Sequence, residues 1–169
     1  LETARLMAAD DVAPARSVLF LAVGAEEIRR INPQRYEMEH LNAVIYLDTE
    51  KQIAAGYKEV TDQEFWVRGH IPGRPLMPGV LIVEAMAQAT GLLAMESRPE
   101  EVGEKSLYYF VGIDKARFKR PVEPGDQMHL EVEMKRSKRG IWMFSGTARV
   151  DGQIAATADI MCTARDYRS

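Results

Sequence analysis

Between Val80 and Met95 the chain is apolar on nearly every side of a helical wheel and contains no proline. A segment patterned in this way forms a helix buried all round rather than a surface helix with one wet face. The rest of the chain must therefore wrap around it. Within this apolar surface stands one carboxylate, Glu84. An ionised carboxylate buried without partners costs several kcal/mol, so burial favours its protonated form or a compensating partner. Glu84 is thus either a chemical group or half of a buried ion pair with an arginine. Gln88 lies one turn further on the same face, where it either orients the carboxylate or simply packs.

The ten residues after His70 carry three prolines (Pro72, Pro75, Pro78) and two glycines (Gly73, Gly79). Proline locks φ, and glycine permits turns that other residues resist, so the loop is stiff and His70 is aimed. An imidazole titrates near neutral pH, and a histidine loop ahead of a helix with one carboxylate reads as an acid/base site. The competing reading is a structural histidine that caps a turn. Pro78-Gly79 falls where the helix begins, and free N–H groups at a helix N-terminus favour developing negative charge, which makes Gly79 a candidate oxyanion donor.

At 169 residues and 46% hydrophobic composition the chain suits one compact domain, taken as residues 24–169. Residues 1–23 carry no pattern that can be tied to chemistry. A net charge of −3 gives no global reason to bind nucleic acid or an anionic membrane. Cys162 is alone, and His40, His70 and His129 are too scattered for a zinc motif, so a reducing cytoplasm and no metal are expected. No apolar stretch free of charges is expected to reach the roughly 20 residues that span a bilayer.

Gly24 to Ile31 reads as a short helix ended by Asn32-Pro33. Val44–Leu47, Ile53–Val60 and Glu64–Arg68 read as strands leading to the His70 loop. After a charged connector, Arg98 to Lys105, the run Leu107–Ile113 suits a buried strand. Met128, Leu130, Val132 and Met134 alternate with polar residues; Ser137–Gly140 and Asp151-Gly152 then supply turns into Ile141–Val150 and Ile154–Ala164. The class is α+β, one long helix against a curved antiparallel sheet.

This order of elements, together with the block His70-Ile71-Pro72-Gly73-Arg74-Pro75-Leu76-Met77-Pro78-Gly79-Val80-Leu81-Ile82-Val83-Glu84-Ala85-Met86-Ala87-Gln88, closely resembles the 3-hydroxyacyl-[acyl-carrier-protein] dehydratase family of fatty acid synthesis. The runs Leu107–Asp114 and Ala116–Met128 also resemble family motifs, so the likeness extends from about Glu26 to Ala164. The resemblance implies the hot-dog fold and reversible loss of water from a (3R)-3-hydroxyacyl chain on acyl carrier protein, giving the trans-2-enoyl thioester without a cofactor. It implies that His70 removes the α-proton, that Glu84 handles the departing hydroxyl and that the Gly79 N–H polarises the thioester carbonyl. It further implies a homodimer in which His70 of one subunit works with the carboxylate of its partner, an assembly that in the family extends to a trimer of dimers.

Glutamate rather than aspartate at position 84 places the chain with the general dehydratases, not the dehydratase/isomerases. Two departures concern the tunnel: Ile71 stands where the family has phenylalanine, and Arg35-Tyr36-Glu37-Met38 replaces an arginine-tyrosine-proline stretch. Among Tyr108, Tyr109 and Phe110 one is expected to line or gate the acyl tunnel. Arg117, Lys119 and Arg120 are either a solvated strand face or a cationic rim that steers an acidic carrier protein. His129 lies on the polar phase of a strand and His40 carries no signal, while Met77, Met86 and Met95 read as packing. The competing functions are a thioesterase on the same fold and a non-catalytic acyl-binding hot-dog protein.

Overall fold

The computed structural model describes residues 18–19, 24–101 and 106–166. Strand β1 (Val18–Leu19) and helix α1 (Ala25–Ile31) precede β2 (Ala43–Asp48) and β3 (Ile53–Glu59); the long helix α2 (Gly79–Ser97) follows, then β4 (Ser106–Phe118), β5 (Gln127–Lys138), β6 (Ile141–Val150) and β7 (Gln153–Asp166). Apart from β1, the segment 1–23 lies outside the described residues, as do residues 102–105 of the charged connector.

The strands form one antiparallel sheet in the order β1-β2-β3-β5-β6-β7-β4. Its centre follows from the alternation in the C-terminal third: Met128, Leu130, Val132 and Met134 are buried while their polar neighbours face outward. Arg139-Gly140 and Asp151-Gly152 turn with positive φ at both residues, the I′ geometry whose twist matches that of the strands it joins. Register shifts in β2, β4, β5 and β6 add local bend, so the sheet curls.

The sheet curls around α2, which packs on β3, β5, β6 and β7. Ala85, Met86, Ala89, Leu92, Leu93 and Ala94 are almost wholly buried, against Trp142, Phe144, Leu130 and Ile160. Each large apolar side chain so buried contributes about 1.5–3 kcal/mol, which is why the helix, not a loop, holds the centre. By length and mean hydropathy α2 could cross a bilayer, but it carries Glu84 and Glu96 and 67% of that window is buried inside the fold, as in a core helix.

Three local expectations are corrected. Glu64–Arg68 is a series of turns, not a strand: Val67 N–H donates to Glu64 O at 3.0 Å and Gly69 N–H to Trp66 O at 3.0 Å, while β3 already has β2 and β5 on its two edges. The run Leu107–Ile113 is a strand but not a buried one, because β4 is the last strand of the sheet. Leu107, Tyr109, Val111 and Ile113 form an exposed apolar stripe, with Val111 at 49% exposure. His40, without signal in the sequence, is wholly buried.

Candidate active site

The loop that carries His70 is clasped by the connection between β4 and β5. Val60 N–H donates to Asp126 O at 2.9 Å, Gly125 N–H to Val60 O at 2.8 Å, and Met77 N–H to Val122 O at 2.8 Å. The Pro121-to-Asp126 stretch is therefore a clamp on the loop. Inside the loop, His70 N–H donates to Trp66 O and Leu76 N–H to His70 O, both at 2.8 Å, and Trp66 is buried beneath them. The His70 Nδ1 lies 2.7 Å from Leu76 O. A carbonyl only accepts, so Nδ1 carries the proton and Nε2 keeps its lone pair. His70 is exposed in the single chain.

Helix α2 begins at Gly79, with Pro78 as N-cap and no side-chain cap; Leu81 N–H donates to Pro78 O at 2.9 Å, which leaves the N–H groups of Gly79 and Val80 without an intrahelical partner. The Phe118 ring lies against Gly79, 2.7 Å from where a Cβ would stand. That contact brings the end of β4, with exposed Arg117 and Lys119, beside the helix N-terminus. Arg120 is engaged within the fold: Nη1 donates to Val150 O at 3.0 Å and Nη2 faces Asp151 at 3.6 Å.

Glu84 is half-buried and has amide partners rather than an arginine. Its Oε1 accepts from Gln88 Nε2 at 2.9 Å and from Gln34 Nε2 at 3.3 Å. Both donors meet one oxygen, so Oε2 is the side of the carboxyl left for a ligand. Gln88 is fixed in turn: its Nε2 also donates to Met38 O at 2.7 Å and its Oε1 accepts from His40 N–H at 2.9 Å. The helical spacing of Gln88 pointed to this contact. Gln34 had no sequence signal; Arg35 pins its backbone by donating to the carbonyls of Asn32 and Gln34 at 2.7 Å and of Arg29 at 2.8 Å. Gln88→Leu would leave the buried His40 N–H without its partner, at about 1–3 kcal/mol, and would remove the donor to Met38 O. Thermal melts are expected to show this variant several degrees less stable than the wild type.

A cavity of about 110 Å³ opens at Glu84, lined also by Gln34, Gln88, Tyr108, Tyr109 and Phe110. His70 is not in its wall, and no hydrogen bond joins His70 to Glu84. A larger cavity, about 530 Å³, lies at the other end of α2 among Arg98, Lys138, Arg139 and Trp142, away from these groups.

Among the described residues, the buried His40 ring has no hydrogen-bond partner at either nitrogen. Burial, and then the nearby Lys58 ammonium, push its pKa down to about 4, against a smaller opposing pull from Glu64. Lys58 and Glu64 themselves form a buried ion pair at 2.8 Å.

A family model described as a FabA-like domain matches residues 32–159. The chain belongs to the FabA-like family. Its FabA-like domain is 50% identical over 141 residues to the 3-hydroxyacyl-[acyl-carrier-protein] dehydratase FabZ of Shewanella pealeana, covering 83% of this chain and 92% of that protein. The FabZ of Acidovorax sp. is 51% identical over 139 residues, covering 82% and 95%. Among solved structures, the dehydratase heterocomplex ApeI:P of Xenorhabdus doucetiae superposes with a TM-score of 0.69 at 18% identity, over 82% of this chain and 91% of that one. A putative thioesterase of Ralstonia eutropha superposes at 0.57 with 17% identity, over 71% and 82%. These two likenesses establish the hot-dog fold of the FabA-like domain.

Proposed function

We infer that the protein catalyses the reversible dehydration of (3R)-3-hydroxyacyl-[acyl-carrier-protein] to the trans-2-enoyl thioester in fatty acid biosynthesis. The observation that carries this is Glu84, held by two amides on one oxygen at the mouth of an aromatic-lined cavity, in a chain half identical to FabZ dehydratases.

His70 Nε2 takes the α-proton, its tautomer set by Leu76 O. The electrons of that C–H bond pass to the thioester as enolate-like charge, stabilised by the Gly79 N–H; a preorganised donor of this kind is worth about 3 kcal/mol. The C3–O bond then breaks, and Glu84 Oε2 supplies a proton so that the hydroxyl leaves as water. Proton transfer back from His70 to Glu84 through solvent completes the cycle.

Because His70 is not in the wall of the Glu84 cavity, the working site is proposed to join His70 of one subunit to Glu84 of another. The exposed stripe on the β4 edge supports a homodimer: Tyr109 and Phe110 of β4 line the Glu84 cavity, so a second copy seated there arrives at its mouth. A trimer of dimers is the proposed higher assembly. Arg117 and Lys119, beside the helix N-terminus, are proposed to steer the acidic carrier, and Arg120 supports the turn behind them. The reaction is proposed to use the protein's own groups without a cofactor, and the cytoplasm is the proposed location.

The test incubates the protein with 3-hydroxyacyl-[acyl-carrier-protein] and follows enoyl thioester and free acid together. Enoyl product without free acid is expected. Free acid instead replaces this reading by a thioesterase, and neither product replaces it by a non-catalytic acyl binder.

A further inference from the structure

We propose that the buried ion pair of Lys58 and Glu64 anchors the loop that aims His70, which makes both of them positioning residues for the reaction. This rests on His70 being the base of the dehydration proposed above.

Lys58 stands on the inward phase of β3, in the alternation that also buries Ala54 and Gly56, opposite the buried Met128 of β5. A lysine is almost never fully buried unless it is paired, and here its side chain is 6% exposed. Its Nζ lies 2.8 Å from Oε1 of Glu64, whose side chain is 11% exposed. The pair thus joins the sheet to the start of the turns that lead to His70.

The connection between β4 and β5 clasps this loop only at its two ends, Val60 and Met77. Among the described residues, the ties between those ends and the rest of the fold are the ion pair, the packing of Trp66 and Val67 on the core, and a contact of Arg74 with Glu123. Arg74 and Glu123 are 3.9 Å apart and open to solvent, where a pair contributes little. Trp66 is buried, but its Nε1 has no hydrogen-bond partner among the described residues, and apolar packing is non-directional. The charge-assisted bond from Lys58 is therefore the tie that fixes direction. From Glu64 the path to His70 is short. Glu64 O accepts from Val67 N–H at 3.0 Å, and Trp66 O accepts from Gly69 N–H at 3.0 Å and from His70 N–H at 2.8 Å. A shift of Glu64 carries Trp66 and His70 with it.

Stability alone does not account for the pair, because replacing a buried ion pair by apolar side chains of similar volume is often neutral or stabilising. A catalytic group misplaced by about 1 Å, in contrast, can cost about a hundredfold in rate. Neither Lys58 nor Glu64 lines the Glu84 cavity, so the effect of the pair falls on turnover rather than on acyl binding.

The experiment compares the wild type with the double variant Lys58→Met/Glu64→Met and with Glu64→Gln. It follows thermal melts, hydrogen exchange of residues 67–72 by mass spectrometry, and kcat and KM on 3-hydroxybutyryl-[acyl-carrier-protein]. The double variant is expected to melt no lower than the wild type. Its residues 67–72 are expected to exchange about tenfold faster while β5 and β6 stay unchanged. Its kcat is expected to fall about thirtyfold with KM within about twofold of the wild type. Glu64→Gln, which keeps an acceptor for the Lys58 ammonium, is expected to move exchange and kcat in the same directions by about fivefold, and it decides the matter if the double variant does not fold. Faster exchange at 67–72 in the variants of a protein that makes no enoyl product even as wild type removes the proposed activity and leaves the anchor standing. A folded variant with wild-type kcat, or with unmoved exchange at 67–72, overturns the anchor, as does a loss that falls on KM alone.

Discussion

His70→Ala is expected to lower enoyl formation by about a thousandfold, the scale on which a positioned general base contributes. Glu84→Gln should lose a similar factor, because the amide oxygen still accepts from Gln88 and Gln34 but the group has no acidic proton to give a leaving hydroxyl. The double variant should be little worse than either, since two groups acting on one transition state do not add. The informative experiment mixes the two single variants. In a two-fold dimer with shared sites, a mixed pair has one site with both residues replaced and one with both intact. Random reassortment of equal amounts then restores about one quarter of the wild-type activity. Mixed dimers that form, by mass spectrometry, yet stay inactive would place His70 and Glu84 of the same chain in one site.

The second large effect is on stability in acid. His40 has a pKa of about 4 in the folded chain, lowered from 6.5 by burial and by Lys58. Above pH 6.5 it is neutral both folded and unfolded and contributes no pH dependence. Between pH 6.5 and 4 the unfolded chain binds a proton that the folded chain refuses, so stability falls as pH falls. At 1.36 kcal/mol per pKa unit the loss through that window reaches about 3 kcal/mol. Denaturant melts of wild type and His40→Leu at a series of pH values isolate this contribution, because the carboxylates titrate alike in both. The difference between the two should change by about 3 kcal/mol between pH 7 and 4; parallel curves would mean that His40 accepts a proton in place.

What could be read in the sequence and what could not divide along a physical line. The helix from Gly79 was legible because its apolar residues occupy every face, and the β5-β6-β7 meander because alternation and positive-φ turn residues agree. Glu84 stood out as a charge in an apolar run, and Gln88 followed from helical spacing. The misreadings concern quantities set by tertiary neighbours. Glu64–Arg68 has the aromatic composition of a strand, but both edges of β3 are already taken. Leu107–Ile113 is apolar enough for a core, and only the strand order puts it at a rim. Gln34 and His40 flank the departing stretch Arg35–Met38, in irregular backbone after α1 without a period to read. Their roles come from α2, some fifty positions away, through Glu84 and Gln88.

Strand β4 presents thirteen residues at the end of the sheet, with an apolar stripe on one face. A lone chain with such an edge is a template on which any extended segment can pair. Where association covers that edge, folding and assembly become one equilibrium, and apparent stability rises with protein concentration by mass action. The newly made chain, dilute and solitary, is then the most vulnerable form of this protein. How fast it meets a second copy, rather than how well its own core is packed, decides how much of it survives to work.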